Sequence, residues 1–157
     1  MTKRIPLGGR ASEPNQQLHL LHTVVEKTAA DAGLDQRLIH LIYIRSSLLN
    51  GCAFCLDMHT RDARKLGESE RRIYLLGAWR ETDLYSETER AALALTDAMT
   101  RLSETQDVPD EVYEQAVSVF TEDQYRAVAW AIIVINAYNR LAVTGRSKLP
   151  PERPLPG

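Results

Sequence analysis

The sequence predicts an all-α fold, and three observations support that prediction. Apolar residues recur at helical spacing through nearly every segment between the two chain ends. Two capping-box patterns, Ser86-x-x-Glu89 and Thr121-x-x-Gln124, mark the starts of helices. No stretch shows the strict polar/apolar alternation, bounded by turns, that is typical of β-strands.

The first half of the chain predicts four helices, over residues 14–31, 36–49, 52–67 and 69–79. Gly33 stops the first of them, and Asp35 is placed to cap the second. The second is apolar on most faces, so we expect it to lie at the centre of the fold. Asn50 and Gly51 end it directly before the first cysteine.

The second half predicts three more helices. One opens at the Ser86 capping box, the next begins near Pro109, and the last runs from Thr121 toward Val143. The longest apolar run, residues 127–135, is much shorter than the roughly 20 residues that span a bilayer. A buried helix explains this run better than a membrane span does.

The chain of 157 residues has the usual size of one domain. Residues 1–13 are expected to form a flexible N-terminal arm, residues 14–147 the helical domain, and residues 148–157 a proline-rich C-terminal tail. This division gives a single hydrophobic core.

Composition and charge exclude several classes of protein. The net charge is −2, and the basic residues are scattered among acids, so no surface that would follow nucleic-acid phosphates is visible. The N-terminus shows no apolar stretch of signal-peptide length. We therefore expect a cytoplasmic protein that binds neither nucleic acid nor membrane.

Two cysteines and a histidine form the most informative cluster in the sequence. Cys52, Cys55 and His59 are spaced i, i+3 and i+7, so on an α-helix they project from one face. Because the preceding helix ends at residue 51, both cysteines should occupy the first turn of the next one. There the free N–H groups and the helix dipole favour a thiolate. His59 can accept the thiol proton and then pair with the thiolate as an imidazolium.

Such a thiolate can attack the O–O bond of a peroxide and become a sulfenic acid. The neighbouring thiol then captures the sulfenic acid as a disulfide, and an external dithiol reduces it by thiol–disulfide exchange. The cycle needs no bound cofactor.

Two other interpretations of the cluster stay open. Each cysteine could be a small buried hydrophobic residue without chemistry. Cys-x-x-Cys is also half of a zinc site, which His59 and one further histidine would complete as a Cys₂His₂ set.

Other polar residues are expected to have structural roles. His19 and His22, on the first helix, are interpreted as surface or packed histidines rather than catalytic ones. Arg45 lies in a nearly all-apolar helix and is expected to form an internal ion pair, with Asp57 or Asp62 as the candidate partner.

Residues 41–67, LIYIRSSLLNGCAFCLDMHTRDARKLG, closely resemble the signature of the AhpD-like (alkylhydroperoxidase D / carboxymuconolactone decarboxylase) family. The resemblance continues at residues 78–80, 84–94 and 135–142, and it spans roughly residues 14–146 in all. It implies a compact bundle of about six to seven helices that assembles into homotrimers or homohexamers. It also implies a peroxidase that is reduced by a lipoyl-type or other dithiol partner protein.

The resemblance assigns roles to individual residues. In that family the second cysteine attacks the hydroperoxide, the first resolves the sulfenic acid, and the histidine joins a proton relay, which implies these roles for Cys55, Cys52 and His59. The relay usually includes a glutamate twelve residues before the first cysteine, where this sequence has His40. A second imidazole either stays neutral or repels a charged His59, whereas a carboxylate would stabilise it. His40 also supplies a candidate fourth ligand for the zinc alternative.

The sequence thus favours an antioxidant oxidoreductase, a thiol-dependent peroxidase with His40 as a substitute in the relay. One alternative is a non-enzymatic oligomer that binds a metal or senses redox state. Another is a decarboxylase that acts on a muconolactone-like acid, but such enzymes do not depend on a Cys-x-x-Cys pair.

Overall fold

Eight α-helices, with a 3-10 segment after the fourth, make up the computed structural model, which describes residues 2–7 and 12–151. The helices are α1 (Glu13–Asp31), α2 (Gln36–Asn50), α3 (Ala53–Lys65), α4 (Glu70–Leu75), α5 (Glu87–Thr100), α6 (Leu102–Thr105), α7 (Asp110–Val119) and α8 (Glu122–Gly145). The 3-10 segment is Leu76–Glu81. No strand occurs within the described ranges, so the predicted all-α class is confirmed.

The capping residues act as the sequence predicts. The Asp35 side chain accepts a hydrogen bond from the backbone N–H of Arg37 at 2.8 Å, at the start of α2. The capping boxes that begin at Ser86 and Thr121 are both fully formed, at the starts of α5 and α8. Gly51 ends α2 with a φ of 65°, a left-handed conformation that glycine adopts without steric cost.

The structure differs from the prediction in two places. The predicted fourth helix is α-helical only as far as Leu75, and the 3-10 segment that follows contains a non-helical Ala78. The four-residue helix α6 was not predicted. It has no buried side chain that could produce an apolar stripe, and it ends at Gln106 with a φ of 58°.

Helix α2 lies at the centre of the bundle, as expected from its apolar faces. It packs against α3, α5 and α8, and every residue from 41 to 47 is buried. Its largest fully buried side chains are Ile39, Leu41, Ile42, Tyr43 and Ile44. At about 25 cal/mol for each Å² of apolar surface removed from water, this helix is a main source of the fold's stability.

Helix α8 is, within the described residues, the one helix long and apolar enough to cross a membrane by length and composition. That is weak support for a membrane span, because the core helix of a globular bundle meets the same criterion. Here Val128, Ile132 and Ile135 are buried in the main core cluster.

Arg45 forms an internal ion pair, as predicted, but the predicted partners are wrong. Its guanidinium donates to the carboxylate of Asp97 on α5, with Nη2 and Oδ2 3.1 Å apart, rather than to Asp57 or Asp62. Arg80 and the indole N–H of Trp79 also donate to that carboxylate. Burial alone would raise the pKa of Asp97, but these hydrogen bonds from the two arginines lower it.

Parts of both predicted chain ends lie outside the described residues, namely residues 1, 8–11 and 152–157. Residues 2–7 are described, and they contact the end of α8. Arg146 donates a hydrogen bond to the carbonyl oxygen of Thr2 at 3.1 Å. The flexibility of the arm and the tail stays a prediction.

Candidate active site

A disulfide joins Cys52 and Cys55 at the N-terminus of α3. Cys52 is the N-cap residue, and its Sγ accepts a hydrogen bond from the backbone N–H of Cys55 at 3.3 Å. The left-handed Gly51 turns the chain between α2 and α3, and Cys52 N–H bonds back to the carbonyl oxygen of Ser47 at 2.9 Å. The turn therefore holds both sulfurs in the first turn of a helix, as the sequence predicts.

His59 lies one turn beyond Cys55 and is buried, with 4% of its surface exposed. Cys52 and Cys55 are buried as well, at 1% and 2%. The three predicted residues are thus brought together on one face of α3, at the boundary with the core.

His40, the fourth predicted residue, reaches the same region from α2. Its ring centroid lies 5.6 Å from that of His59 and 5.8 Å from that of Tyr43. It is half-buried. The residue that stands where the family usually has a glutamate is therefore a neighbour of the site histidine.

A cavity of about 670 Å³ opens onto the disulfide. The described residues that line it are mostly apolar or aromatic and come chiefly from α1, α3 and α8: Asn15, Gln16, His19, His22, Tyr43, Phe54, Cys55, Met58, His59, Val134, Ile135, Tyr138, Leu141, Ala142 and Ser147. Cys55 and His59 are among them, whereas Cys52 and His40 are not. A molecule in this cavity therefore contacts Cys55 rather than Cys52.

A series of aromatic rings in the cavity lining leads to His59. The Tyr43 ring centroid lies 4.7 Å from that of His59 and 5.8 Å from that of His22. The His22 centroid is in turn 5.6 Å from that of Tyr138 on α8. Tyr43, His22 and Tyr138 were not predicted as site residues, because they come from three helices whose convergence the sequence does not reveal.

The histidines at the site are held in their neutral forms. Burial, followed by the neighbouring imidazoles of His40 and His22, lowers the pKa of His59 to about 3. Burial likewise lowers the pKa of His40 and of His22. The expected imidazolium at His59 therefore does not form at pH 7 in the disulfide form, in which no thiolate faces it.

Three buried polar atoms at the site have no hydrogen-bond partner within the described chain: Nδ1 of His40, Nδ1 of His59 and the Tyr43 hydroxyl. A buried polar group without a partner costs about 1–3 kcal/mol. Burial, and then the charge of Glu26, raises the pKa of Tyr43, so this hydroxyl keeps its proton. Buried polar atoms without partners beside a disulfide need an explanation, and a functional role is one such explanation.

The carboxylate of Glu26, on α1, affects the titration of these rings, because its charge acts to raise the pKa of His22 and of Tyr43. Its Oε1 lies 3.4 Å from Nε2 of His22, one helical turn earlier. The i, i+4 spacing of His22 and Glu26 was visible in the sequence and could have identified this pair.

The cysteines do not offer a metal site in this form, because each sulfur is bonded to the other. Among the described residues, no three His, Cys, Asp or Glu side chains form a cluster that could hold a metal ion. The Cys₂His₂ alternative would require the reduced form, because both sulfurs are bonded to each other here.

Comparison with known proteins identifies relatives by sequence and by structure. The uncharacterized protein YdfG of Bacillus subtilis is 45% identical over 119 residues, which cover 76% of this chain and 80% of that protein. A crystal structure from Agrobacterium tumefaciens, of a protein of unknown function with the suggested assignment of an AhpD antioxidant defence protein, superposes with a TM-score of 0.86. It is 39% identical and covers 96% of this chain and 100% of its own.

The debrominase Bmp8 has a similar fold, with a TM-score of 0.74. Its sequence is only 20% identical, over 87% of this chain and 71% of its own, so the likeness is one of fold alone.

The model of the carboxymuconolactone decarboxylase family matches residues 18–98, which include the disulfide, His40 and His59. This match, with the identity to the Bacillus and Agrobacterium proteins, agrees with the resemblance found in the sequence. The chain belongs to the carboxymuconolactone decarboxylase family and is AhpD-like in fold.

Proposed function

We propose that this protein is a thiol peroxidase, an antioxidant enzyme that reduces hydroperoxides through Cys55 and cycles through the Cys52–Cys55 disulfide. The observation that carries the proposal is the asymmetry of the pair. Both sulfurs belong to one disulfide, yet Cys55 lines the cavity and Cys52 does not. This asymmetry supports Cys55 as the attacking sulfur and Cys52 as the resolving one.

The helix terminus supports the same assignment. Cys55 is the third residue of α3, where backbone N–H groups and the helix dipole stabilise an anion by about 0.3–1 kcal/mol. After reduction, a thiolate at this position is favoured over one in the middle of a helix, and its access to the cavity makes it a nucleophile.

The cycle balances without a bound cofactor. The Cys55 thiolate attacks the distal oxygen of ROOH, the O–O bond breaks, and the RO⁻ group takes a proton to leave as ROH. The Cys52 thiol then attacks the Cys55 sulfenic acid, which forms the disulfide and releases water. A dithiol reductant returns both cysteines to thiols and is itself oxidised to a disulfide.

The proposal includes two kinds of partner. A lipoyl-type dithiol protein is the proposed reductant, because thiol–disulfide exchange between its dithiol and the Cys52–Cys55 disulfide requires no other cofactor. A homotrimer or homohexamer is the proposed assembly. Exposed apolar side chains on α8, including Trp130 and Ile133, are available for contacts between copies.

The cavity disfavours the decarboxylase alternative. An acid such as a muconolactone needs a cation to bind its carboxylate, and neither Lys nor Arg is among the described residues that line the cavity. Of the three histidines in this lining, His59 is kept neutral by burial. A neutral hydroperoxide fits these walls better than an anion does.

The experiment is a comparison of peroxide consumption by pre-reduced wild type, Cys55→Ser and Cys52→Ser. With excess dithiol, wild type should turn over repeatedly and Cys55→Ser should not react above background. Cys52→Ser should consume one equivalent quickly and then slow, because its sulfenic acid has no internal thiol to capture it. Equal activity in Cys55→Ser and wild type would contradict the proposal.

A further inference from the structure

The reaction proposed above needs a group that takes the thiol proton and returns it to the leaving oxygen. His59 lies next to Cys55 along α3, but its environment does not help it to hold a proton. It is buried against two other imidazoles, and its Nδ1 has no hydrogen-bond partner within the described chain. His40 lies where the family usually has a carboxylate, and its Nδ1 is unpaired too.

His22 differs from both of these histidines. Its Nε2 lies 3.4 Å from Oε1 of Glu26, and in the described part of the chain it is the histidine with a carboxylate at ion-pair distance. The pair is on one face of α1, one turn apart. Burial lowers the pKa of His22 overall, but Glu26 acts against that shift, because a carboxylate at this distance stabilises a protonated imidazole.

His22 also has access to the reacting centre. It lines the same cavity as Cys55. Its ring packs against Tyr43, which packs against His59, so a contiguous series of rings joins the Glu26 carboxylate to the helix that carries the cysteines. The Tyr43 hydroxyl in this series is buried and unpaired, which leaves it able to bond a substrate oxygen or a proton carrier.

The other carboxylate near these rings, Asp62, forms an ion pair with a lysine. Asp62 on α3 raises the pKa of His40 but is bonded to Lys65 at 2.6 Å. The titratable groups that face His22 and its neighbours are Glu26 and His19 on α1, His40 and Tyr43 on α2, His59 on α3 and Tyr138 on α8. Glu26 is the only carboxylate in this set.

We propose that His22, held by Glu26, is the proton acceptor and donor of the Cys55 site and performs the role of the missing relay glutamate. This rests on the proposed peroxidase function. His22 takes the proton from the Cys55 thiol across the cavity that both residues line. The products are a thiolate at Cys55 and an imidazolium at His22, which Glu26 stabilises. When the O–O bond breaks, the imidazolium returns that proton to RO⁻, so ROH leaves and His22 is neutral again.

The test measures thiol activation without peroxide. In a Cys52→Ser background Cys55 is the only thiol, and its alkylation rate by iodoacetamide is followed from pH 5 to pH 9 in full-length reduced protein. Glu26→Gln, His22→Gln and their combination are compared with Glu26→Asp, which keeps the charge. Asp31→Asn is the matched control, since it removes one exposed carboxylate from the same helix.

The proposal predicts that Glu26→Gln slows alkylation at pH 7 about tenfold, the effect of one pKa unit, and moves the profile to higher pH. His22→Gln should do the same, and the double variant should be no slower, because the two residues act as one unit. Glu26→Asp should retain most of the rate, and Asp31→Asn should stay within about twofold of the parent, as surface changes usually do.

A simple charge effect predicts the opposite sign. If Glu26 only repelled the thiolate, Glu26→Gln would speed alkylation. An equal or faster rate in that variant, with its far-UV circular dichroism unchanged, would overturn the proposal. If Glu26→Gln slows alkylation but the wild type does not react with peroxide, the peroxidase function is contradicted, while His22 remains the proton acceptor of Cys55. The two failures are therefore distinguishable.

Discussion

The ring of Tyr43 packs on the ring of His59, with centroids 4.7 Å apart and planes inclined by 46°. Tyr43 belongs to the most buried stretch of the central helix, whereas His59 belongs to the helix that carries the disulfide. The core and the candidate site are therefore in direct contact, and removal of either ring should affect both stability and thiol chemistry.

His59 should make the oxidised protein sensitive to acid. Its pKa is about 3 in the folded protein and about 6.5 in an unfolded chain, so below pH 6.5 the unfolded state binds a proton that the folded state does not. The free energy of unfolding should therefore fall by about 2 kcal/mol between pH 7 and pH 5 through this residue alone. Urea unfolding of His59→Gln should show a correspondingly smaller loss, and an identical loss in the variant and wild type would contradict this assignment.

Tyr43→Phe should not destabilise the protein. The hydroxyl is buried without a partner in the described chain, and removing such a group relieves a cost of about 1–3 kcal/mol. We expect the free energy of unfolding to stay level or to rise by about 1 kcal/mol. The control is Tyr85→Phe, whose hydroxyl donates to the carbonyl oxygen of Arg72 at 2.5 Å and whose loss should cost about 1 kcal/mol. A reversed order of the two variants in urea unfolding would contradict the prediction.

Asp97→Asn should be strongly destabilising, because it leaves the buried Arg45 guanidinium without its counter-charge. Breaking a buried pair in this way costs about 3–5 kcal/mol, whereas Asp31→Asn on the surface should cost less than about 1 kcal/mol.

The pH dependence of the Asp97 effect follows from its lowered pKa. Such a carboxylate stabilises the fold above the unfolded pKa of about 3.9, and this contribution is lost as the pH falls through the lower folded pKa. The difference between wild type and Asp97→Asn should accordingly shrink below about pH 4. A difference that grows on acidification would exclude the ion pair as its cause.

Gly51→Ala should strain the turn that presents the cysteines. Its φ of 65° costs a non-glycine residue about 1–2 kcal/mol, although no neighbouring atom would meet the added methyl group. Gly77→Ala is the control, since Gly77 also has open space around it but no left-handed backbone. Thermal unfolding should show a lower midpoint for Gly51→Ala only, and a similar drop in both variants would show that the backbone conformation is not the reason.

Local signals in the sequence were sufficient for most of the fold. The caps at Asp35, Ser86 and Thr121 predicted helix starts to within a residue, because a cap bonds to the backbone two or three positions away. Pairing between distant elements could not be predicted in this way. Arg45 bonds to Asp97, which is 52 positions away on another helix, and helical phase alone gave no reason to choose it.

The candidate site was predicted to the extent that it is local. Cys52, Cys55 and His59 share one helix face, so their spacing was sufficient to bring them together. Tyr43 and Tyr138 reach the site from other helices, through packing that no motif marks. His22 and Glu26 carried a signal at i, i+4, but an isolated pair of this kind is common on helix surfaces and became informative only when the cavity was known.

In the proposed cycle Cys55 reduces a hydroperoxide, and Cys52 resolves the sulfenic acid that this forms on Cys55. The most direct measurement mixes fully reduced protein with one equivalent of cumene hydroperoxide and follows free thiols and peptide masses over time. We predict the loss of two thiols per peroxide, the formation of one Cys52–Cys55 disulfide, and a rate far above that of dithiothreitol alone. Thiols that persist at the rate of the small-molecule control would contradict it.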